Sequence, residues 1–209
     1  MRVELEGVAK RFDREWIIQD FSYTFKTGLC YGIEGRNGAG KSTLLRMIAG
    51  HLSPSRGRIT FWLQDKKIAS SEVYPHLSYV APYIDVIEEL SLVEALKFHF
   101  QFKPILPGFT VGELPQVLGL RFQQQRRINT YSSGMKQRVV LGLALFSNTP
   151  LLLLDEPTTT LDKEGQAWFQ EQLTACKKNR LVVIATNVKE DLQQCETIIS
   201  VGKNEVHGH

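Results

Sequence analysis

The stretch Gly35-Arg36-Asn37-Gly38-Ala39-Gly40-Lys41-Ser42-Thr43 constrains this chain more than any other, because it fits G-x-x-x-x-G-K-[ST]. Leu29 to Ile33 before it reads as a buried strand, and Thr43 to Ala49 after it as a helix closed by Gly50. Strand, glycine loop and helix form the setting in which such a loop holds phosphate. Gly35, Gly38 and Gly40 let the backbone turn its N–H groups inward, with Asn37 and Ala39 completing the cradle. The helix N-terminus adds unpaired donors and partial positive charge. In this motif Lys41 reaches the β- and γ-phosphates, and the Ser42 hydroxyl ligates Mg²⁺. Thr43 is then the α-phosphate contact. The loop predicts a nucleotide site.

A chain of 209 residues, 43% hydrophobic, suits one large α/β domain or a core domain carrying an inserted subdomain. The net charge of +3 is too small to argue for nucleic acid as a partner. Cys30, Cys176 and Cys195 have no metal-like spacing, and an odd count gives no disulfide framework, so free thiols are expected. Residues 1–12 lack the apolar stretch of a signal peptide. The longest apolar runs fall short of the ~20 residues that cross a bilayer. Any membrane association is expected through a partner.

Residues 2–6 and Trp16 to Phe25 alternate as strands, and Arg58 to Leu63 is a β-run turned back at Gln64-Asp65. The first third therefore predicts antiparallel strands around the one parallel strand that feeds the loop, with Leu77 to Ala81 a further short strand. From about Asp85 to Gly142 no β-signal intervenes. Ser91 and Glu94 form a capping box before an apolar-periodic run. Val111 to Leu120 predicts a second helix and Ser133 to Ser147 a long third one, together an inserted helical subdomain. Leu151 to Leu154 is an all-apolar strand of the kind buried on both faces of a parallel sheet. A helix over Lys163 to Lys177 follows, then strands at Leu181 to Thr186 and Thr197 to Val201.

Asp155-Glu156 directly follows that apolar strand, at the carboxyl end where ligands collect in parallel sheets. An Asp there can hold Mg²⁺, and the adjacent Glu can polarise an attacking water as a general base.

With these motifs in order, the chain resembles the ATP-binding cassette (ABC) ATPases over nearly its whole length. The markers are Phe12 as an adenine-stacking aromatic, GRNGAGKST as Walker A and Tyr131-Ser132-Ser133-Gly134-Met135 as the signature. Leu151 to Glu156 matches Walker B, and Thr160-Leu161-Asp162 the D-loop. Phe12 has a plainer alternative as a core or hairpin aromatic, and Trp16 competes for the stacking role.

The resemblance implies an α/β fold. Its P-loop NTPase core has a parallel sheet and an antiparallel β-subdomain (1–84 and 143–209), with a helical subdomain at about 85–142. It implies ATP and Mg²⁺ as cofactors, and Ser132, Ser133 and Gly134 contacting ATP held by a second subunit. Asp162 is then placed at the dimer interface. The expected assembly is a homodimer or heterodimer of ATPase subunits, peripheral on the cytoplasmic face of the cell membrane through a separate transmembrane permease. Tyr83, Ile84, Val86, Ile87 and Leu90 are either the permease's seat or core of the helical subdomain.

Two departures bear on turnover. The family's glutamine after the Leu77 strand is replaced in Tyr79-Val80-Ala81-Pro82-Tyr83, and its switch histidine is Asn187. Asn can donate a hydrogen bond to a γ-phosphate but cannot carry charge or transfer a proton. Two alternatives follow: a nucleotide-gated module with little or no hydrolysis, or a soluble non-transport ABC protein.

Overall fold

The computed structural model describes residues 1–202 and the backbone of residues 206–208. In chain order it contains β1 (Arg2–Phe12), β2 (Glu15–Lys26), β3 (Cys30–Glu34), α1 (Lys41–Ile48), β4 (Arg56–Leu63) and β5 (Lys66–Ile68). There follow β6 (Leu77–Val80), α2 (Leu92–His99), α3 (Leu114–Val117), α4 (Ser133–Leu145) and β7 (Leu151–Asp155). The described chain closes with α5 (Lys163–Cys176), β8 (Leu181–Ala185), β9 (Thr197–Val201) and β10 (Val206–Gly208).

Two sheets result. Four antiparallel strands run in the order β2-β1-β4-β5, and a six-stranded sheet runs β10-β9-β3-β8-β7-β6. In the second sheet β6, β7, β8, β3 and β9 are mutually parallel, and β10 turns back antiparallel on β9. As expected, β3 is the one parallel strand of the first third, among the antiparallel β1, β2, β4 and β5, and it lies wholly in the parallel sheet. The reason is visible in its burial. Cys30 to Ile33 are all buried, which requires a covered strand in mid-sheet.

The parallel strands split their side chains between two cores. Leu152, Leu154, Val182 and Ile184 face one cluster with Leu92, Leu96, Leu141, Leu145, Phe169 and Leu173. Leu151, Leu153, Leu181 and Val183 face another with Leu44, Leu45, Ile48, Phe21 and Phe25. Helices α2 to α5 therefore cover one face, and α1 with the antiparallel sheet covers the other. Each fully buried Leu of these strands contributes roughly 1.5–3 kcal/mol. Among the described residues, the segment between β6 and β7 holds helices and turns, with only isolated bridges at Ser91–Arg127 and Ile105–Ser147.

The capping box on α2 is formed: Glu94 N–H donates to Ser91 Oγ, and Ser91 N–H donates to Glu94 Oε2 at 2.8 Å. Two elements depart from the sequence reading. The helix expected over Val111–Leu120 contracts to the four residues of α3, because Pro115 removes a donor and Gly112 and Gly119 flank it. Leu114, Leu118 and Leu120 still reach the core. The strand expected over 2–6 continues to Phe12, since the break at Gly7 (φ 56°) is a bulge after which pairing resumes.

Candidate functional site

Because β3, β8, β7 and β6 are parallel, their carboxyl ends meet on one rim. Register puts Ile33 opposite Ala185, and Ala185 opposite Asp155. The phosphate loop, Thr186-Asn187 and Asp155-Glu156 are thus delivered side by side from three neighbouring strands.

The loop conformation depends on glycine at two points. Gly35 has φ 154°, and a Cβ there would lie 2.3 Å from the Val201 carbonyl oxygen. Gly40 has φ 104°, and a Cβ would press 2.9 Å from Ile17 on β2. Asn37, Gly38 and Ser42 are exposed, Ala39 and Thr43 half-buried. The first bond of α1 runs from Leu44 N–H to the Gly40 oxygen, so the N–H groups of Lys41, Ser42 and Thr43 have no intrahelical acceptor.

Lys41 is 6% exposed, and its ammonium joins all three strand ends. It donates to the Gly35 carbonyl at 2.9 Å and to Asn187 Oδ1 at 3.0 Å, and lies 3.5 Å from Glu156 Oε1. Asn187 Nδ2 in turn donates to Asn37 Oδ1. Glu156 sits at φ 48°, a left-handed conformation unusual for a side chain of its size, with its N–H bonded to the Ala185 oxygen at 2.8 Å. Its second carboxylate oxygen accepts from Thr186 Oγ1 at 3.2 Å and from the Asn187 N–H at 3.4 Å.

Asp155 is 1% exposed, and neither carboxylate oxygen has a hydrogen-bond partner of regular geometry. Burial raises its pKa, while the nearby Ser42 hydroxyl and Lys41 ammonium pull the other way. A buried carboxylate with both oxygens unsatisfied beside an exposed serine hydroxyl is a donor set that suits Mg²⁺, which takes one or two protein ligands plus phosphate oxygens.

A hollow of about 540 Å³ opens beside this cluster, lined by Asn37, Pro82, Glu156, Thr158 to Thr160, Asn187 and Val188. Two glutamines outside the sequence-predicted site residues, Gln137 of α4 and Gln166 of α5, also line it. Gln137 is committed to the Pro157 carbonyl at 2.8 Å. Pro82 stands in the wall of this hollow, and the adjacent Tyr83 pairs its hydroxyl with that of Tyr79 at 3.1 Å.

Ser132 and Gly134 lie elsewhere, lining a hollow with Thr160, Leu161 and Asp162. Ser132 is the N-cap of α4, accepting from Met135 N–H at 3.2 Å, and Ser133 begins the helix. Asp162 caps α5 through Gly165 N–H at 2.8 Å. Phe12 ends β1 and is 44% exposed, and Lys10 Nζ lies 5.2 Å from its ring centre. Trp16 is engaged by the guanidinium groups of Arg11 and Arg56, at 5.3 and 4.9 Å.

The ABC transporter family model matches residues 18–159, the segment that carries the loop, the signature and Asp155-Glu156. The chain belongs to the ABC transporter family. This cassette is 33% identical over 203 residues to Nod factor export ATP-binding protein I of Bradyrhizobium diazoefficiens, covering 93% of itself and 65% of that relative. It is 29% identical over 197 residues to the uncharacterised ABC transporter ATP-binding protein YybJ of Bacillus subtilis, covering 91% of itself and 87% of that protein. The dimeric post-hydrolysis structure of the ATP-binding cassette MJ0796 with ADP and Pi shares its fold, with TM-score 0.84 at 23% identity, covering 99% and 97% of the two chains. No helix among the described residues is long and apolar enough to cross a membrane.

Proposed function

We propose that this cassette binds and hydrolyses Mg-ATP and, by closing on ATP as a dimer, drives a separate membrane permease. The observation that supports this most is Lys41. One buried cation touches the phosphate loop, the Walker B glutamate and the switch residue, so a phosphate accepted there is sensed by all three.

In this reading the N–H groups of Gly38, Gly40, Lys41, Ser42 and Thr43 bind the phosphates, and Phe12 stacks on adenine. Phe12 is favoured over Trp16 because it is the more exposed residue of the two. Ser42 and Asp155 hold Mg²⁺, which when bound supplies charge neutralisation at the phosphate oxygens. Glu156 accepts the proton of the attacking water. Water oxygen bonds to the γ-phosphorus as the bond to the bridging oxygen breaks, and ADP departs with that electron pair. Lys41 and Asn187 steady the charge that develops on the transferred group.

Residues 85–142 act as the helical subdomain that presents Ser132, Ser133 and Gly134 to the partner's nucleotide, with Asp162 at the same interface. Lys136 of α4, paired with Glu88 at 2.6 Å, ties the signature to the segment after Pro82. That segment bounds a groove of about 230 Å³ lined by Ile84, Val86, Ile87 and Leu90, which we assign to the permease. A permease contact there would hold the chain on the cytoplasmic face of a membrane. A second reading, closure on ATP with slow turnover, draws on Pro82 in the wall of the hollow.

Titrating a fluorescent ATP analogue against wild type and Lys41→Ala tests the site. A large loss of affinity in Lys41→Ala is expected; equal affinities would sink it.

A further inference from the structure

We propose that Asp191 is a positioning residue for hydrolysis: through the hydroxyl of Thr186 it decides whether that hydroxyl's single proton rests on Glu156. The inference builds on the reading of Glu156 as the base.

Asp191 lies in the short turn after Asn187 and is 1% exposed. Thr158 Oγ1 spans its two oxygens at 3.0 and 2.9 Å. Thr186 Oγ1 lies 3.3 Å from Asp191 Oδ2 and 3.2 Å from Glu156 Oε2, and already accepts the Val188 N–H at 3.0 Å. Thr158 and Thr186 are themselves fully buried. A threonine hydroxyl has one proton to give. With both carboxylates ionised, Thr186 can satisfy only one, and the other faces a lone pair in a buried site.

A proton on Asp191 resolves the conflict. Asp191 then donates to Thr186 Oγ1, Thr186 donates to Glu156, and Thr158 donates to the remaining Asp191 oxygen. Every polar atom of the network is satisfied in that arrangement. The ionisable groups that act on Asp191 are both acidic, Glu156 and Glu190. No cation lies within ion-pair distance of it among the described residues. The nearest cation of the network is Lys41, on the far oxygen of Glu156. Burial, with these two acids, raises the Asp191 pKa to about 6 against the pull of its hydroxyl donors, so both forms are reached near neutral pH.

The two forms act oppositely on the base. Ionised Asp191 withdraws the Thr186 proton and leaves Glu156 Oε2 with only the long Asn187 N–H contact, which makes Glu156 the stronger base. Protonated Asp191 returns the donor to Glu156 and holds it as a stabilised carboxylate.

The test is the pH dependence of kcat at saturating Mg-ATP for wild type, Asp191→Asn, Thr186→Val and the double variant. Asn copies the protonated form, donating to Thr186 and accepting from Thr158. Wild type should lose rate as pH falls through about 6. Asp191→Asn should run about tenfold slower at pH 8, lack that limb and keep its KM, one charge-assisted hydrogen bond being at stake. In the Thr186→Val background, Asp191→Asn should change nothing further. Independently of turnover, infrared difference spectra between pH 5 and 7.5 should show a protonated carboxyl band in wild type that is smaller by one group in Asp191→Asn.

An Asp191→Asn protein that matches wild type at every pH while Glu156→Gln is inactive overturns the proposal and leaves Glu156 as the base. Additive effects of Asp191→Asn and Thr186→Val overturn it likewise. Glu156→Gln at the wild-type rate overturns the base and this proposal with it.

Discussion

Replacing Asn187 by Ala probes the junction between the end of β8 and the phosphate loop. The substitution removes the acceptor that Lys41 uses at 3.0 Å and the donor held by Asn37. A hydrogen bond to a charged group contributes roughly 1.5–3 kcal/mol, and one between neutral groups about 0.5–1.5. Lys41 keeps Gly35 at 2.9 Å and Glu156 at 3.5 Å, and Asn37 is exposed and regains water, so the loss falls at the low end. We expect about 1–2 kcal/mol of lost transition-state stabilisation, or ~5–30-fold in kcat. Asn187→His, which restores a donor of longer reach, should equal or exceed the wild-type rate. Steady-state phosphate release by the three proteins, matched for ATP occupancy, is the assay. An Asn187→Ala protein hydrolysing as fast as wild type would refute the reasoning and reduce Asn187 to a loop residue.

Asp155→Asn should abolish the gain in ATP affinity that Mg²⁺ gives wild type. Without Mg²⁺ it should raise the thermal midpoint, since it removes a buried charge whose two oxygens lack regular hydrogen bonds. Because burial raises the native pKa of Asp155, wild type recovers stability as pH falls, so the gap between the two midpoints should narrow towards acid; a gap that widens would reject the assignment. Arg180 is buried and donates to the carbonyls of Thr149, Leu145 and Ala144 and to Thr149 Oγ1. Arg180→Met should cost about 3 kcal/mol or more by urea unfolding, because it strands those acceptors; a loss under ~1 kcal/mol would show that they find other partners.

What the sequence made legible was local. The phosphate loop, the apolar β7 run and the Ser91–Glu94 box each declare themselves within a few residues, and each took its expected form. Asp155 and Glu156 were legible because β7 leads directly into them. The α3 region reads as a longer helix because Leu114, Val117 and Leu118 have helical spacing, while Pro115 and the flanking glycines limit the helix to four residues. Gly7 looked like the end of a strand because a bulge and a terminus have the same local signature. The Thr158–Asp191–Thr186 network gave no signal at all. Its donors and acceptors come from chain positions 33 residues apart and meet only because β7 and β8 are neighbours. Cys30 and Cys195 show the same limit: their sulfurs lie 3.4 Å apart across 165 residues, with a spacing that carries no motif.

The claim that this cassette turns over ATP in a closed dimer is tested most directly by sedimentation velocity of Glu156→Gln with Mg-ATP, run beside phosphate release from wild type and the variant. The substitution keeps the shape at the strained φ 48° position and removes the proton acceptor. The account predicts phosphate release by wild type alone, and a Glu156→Gln protein that binds ATP and sediments as a dimer only when ATP is present. A variant that releases phosphate at the wild-type rate, or binds ATP yet stays monomeric at every concentration, would contradict it.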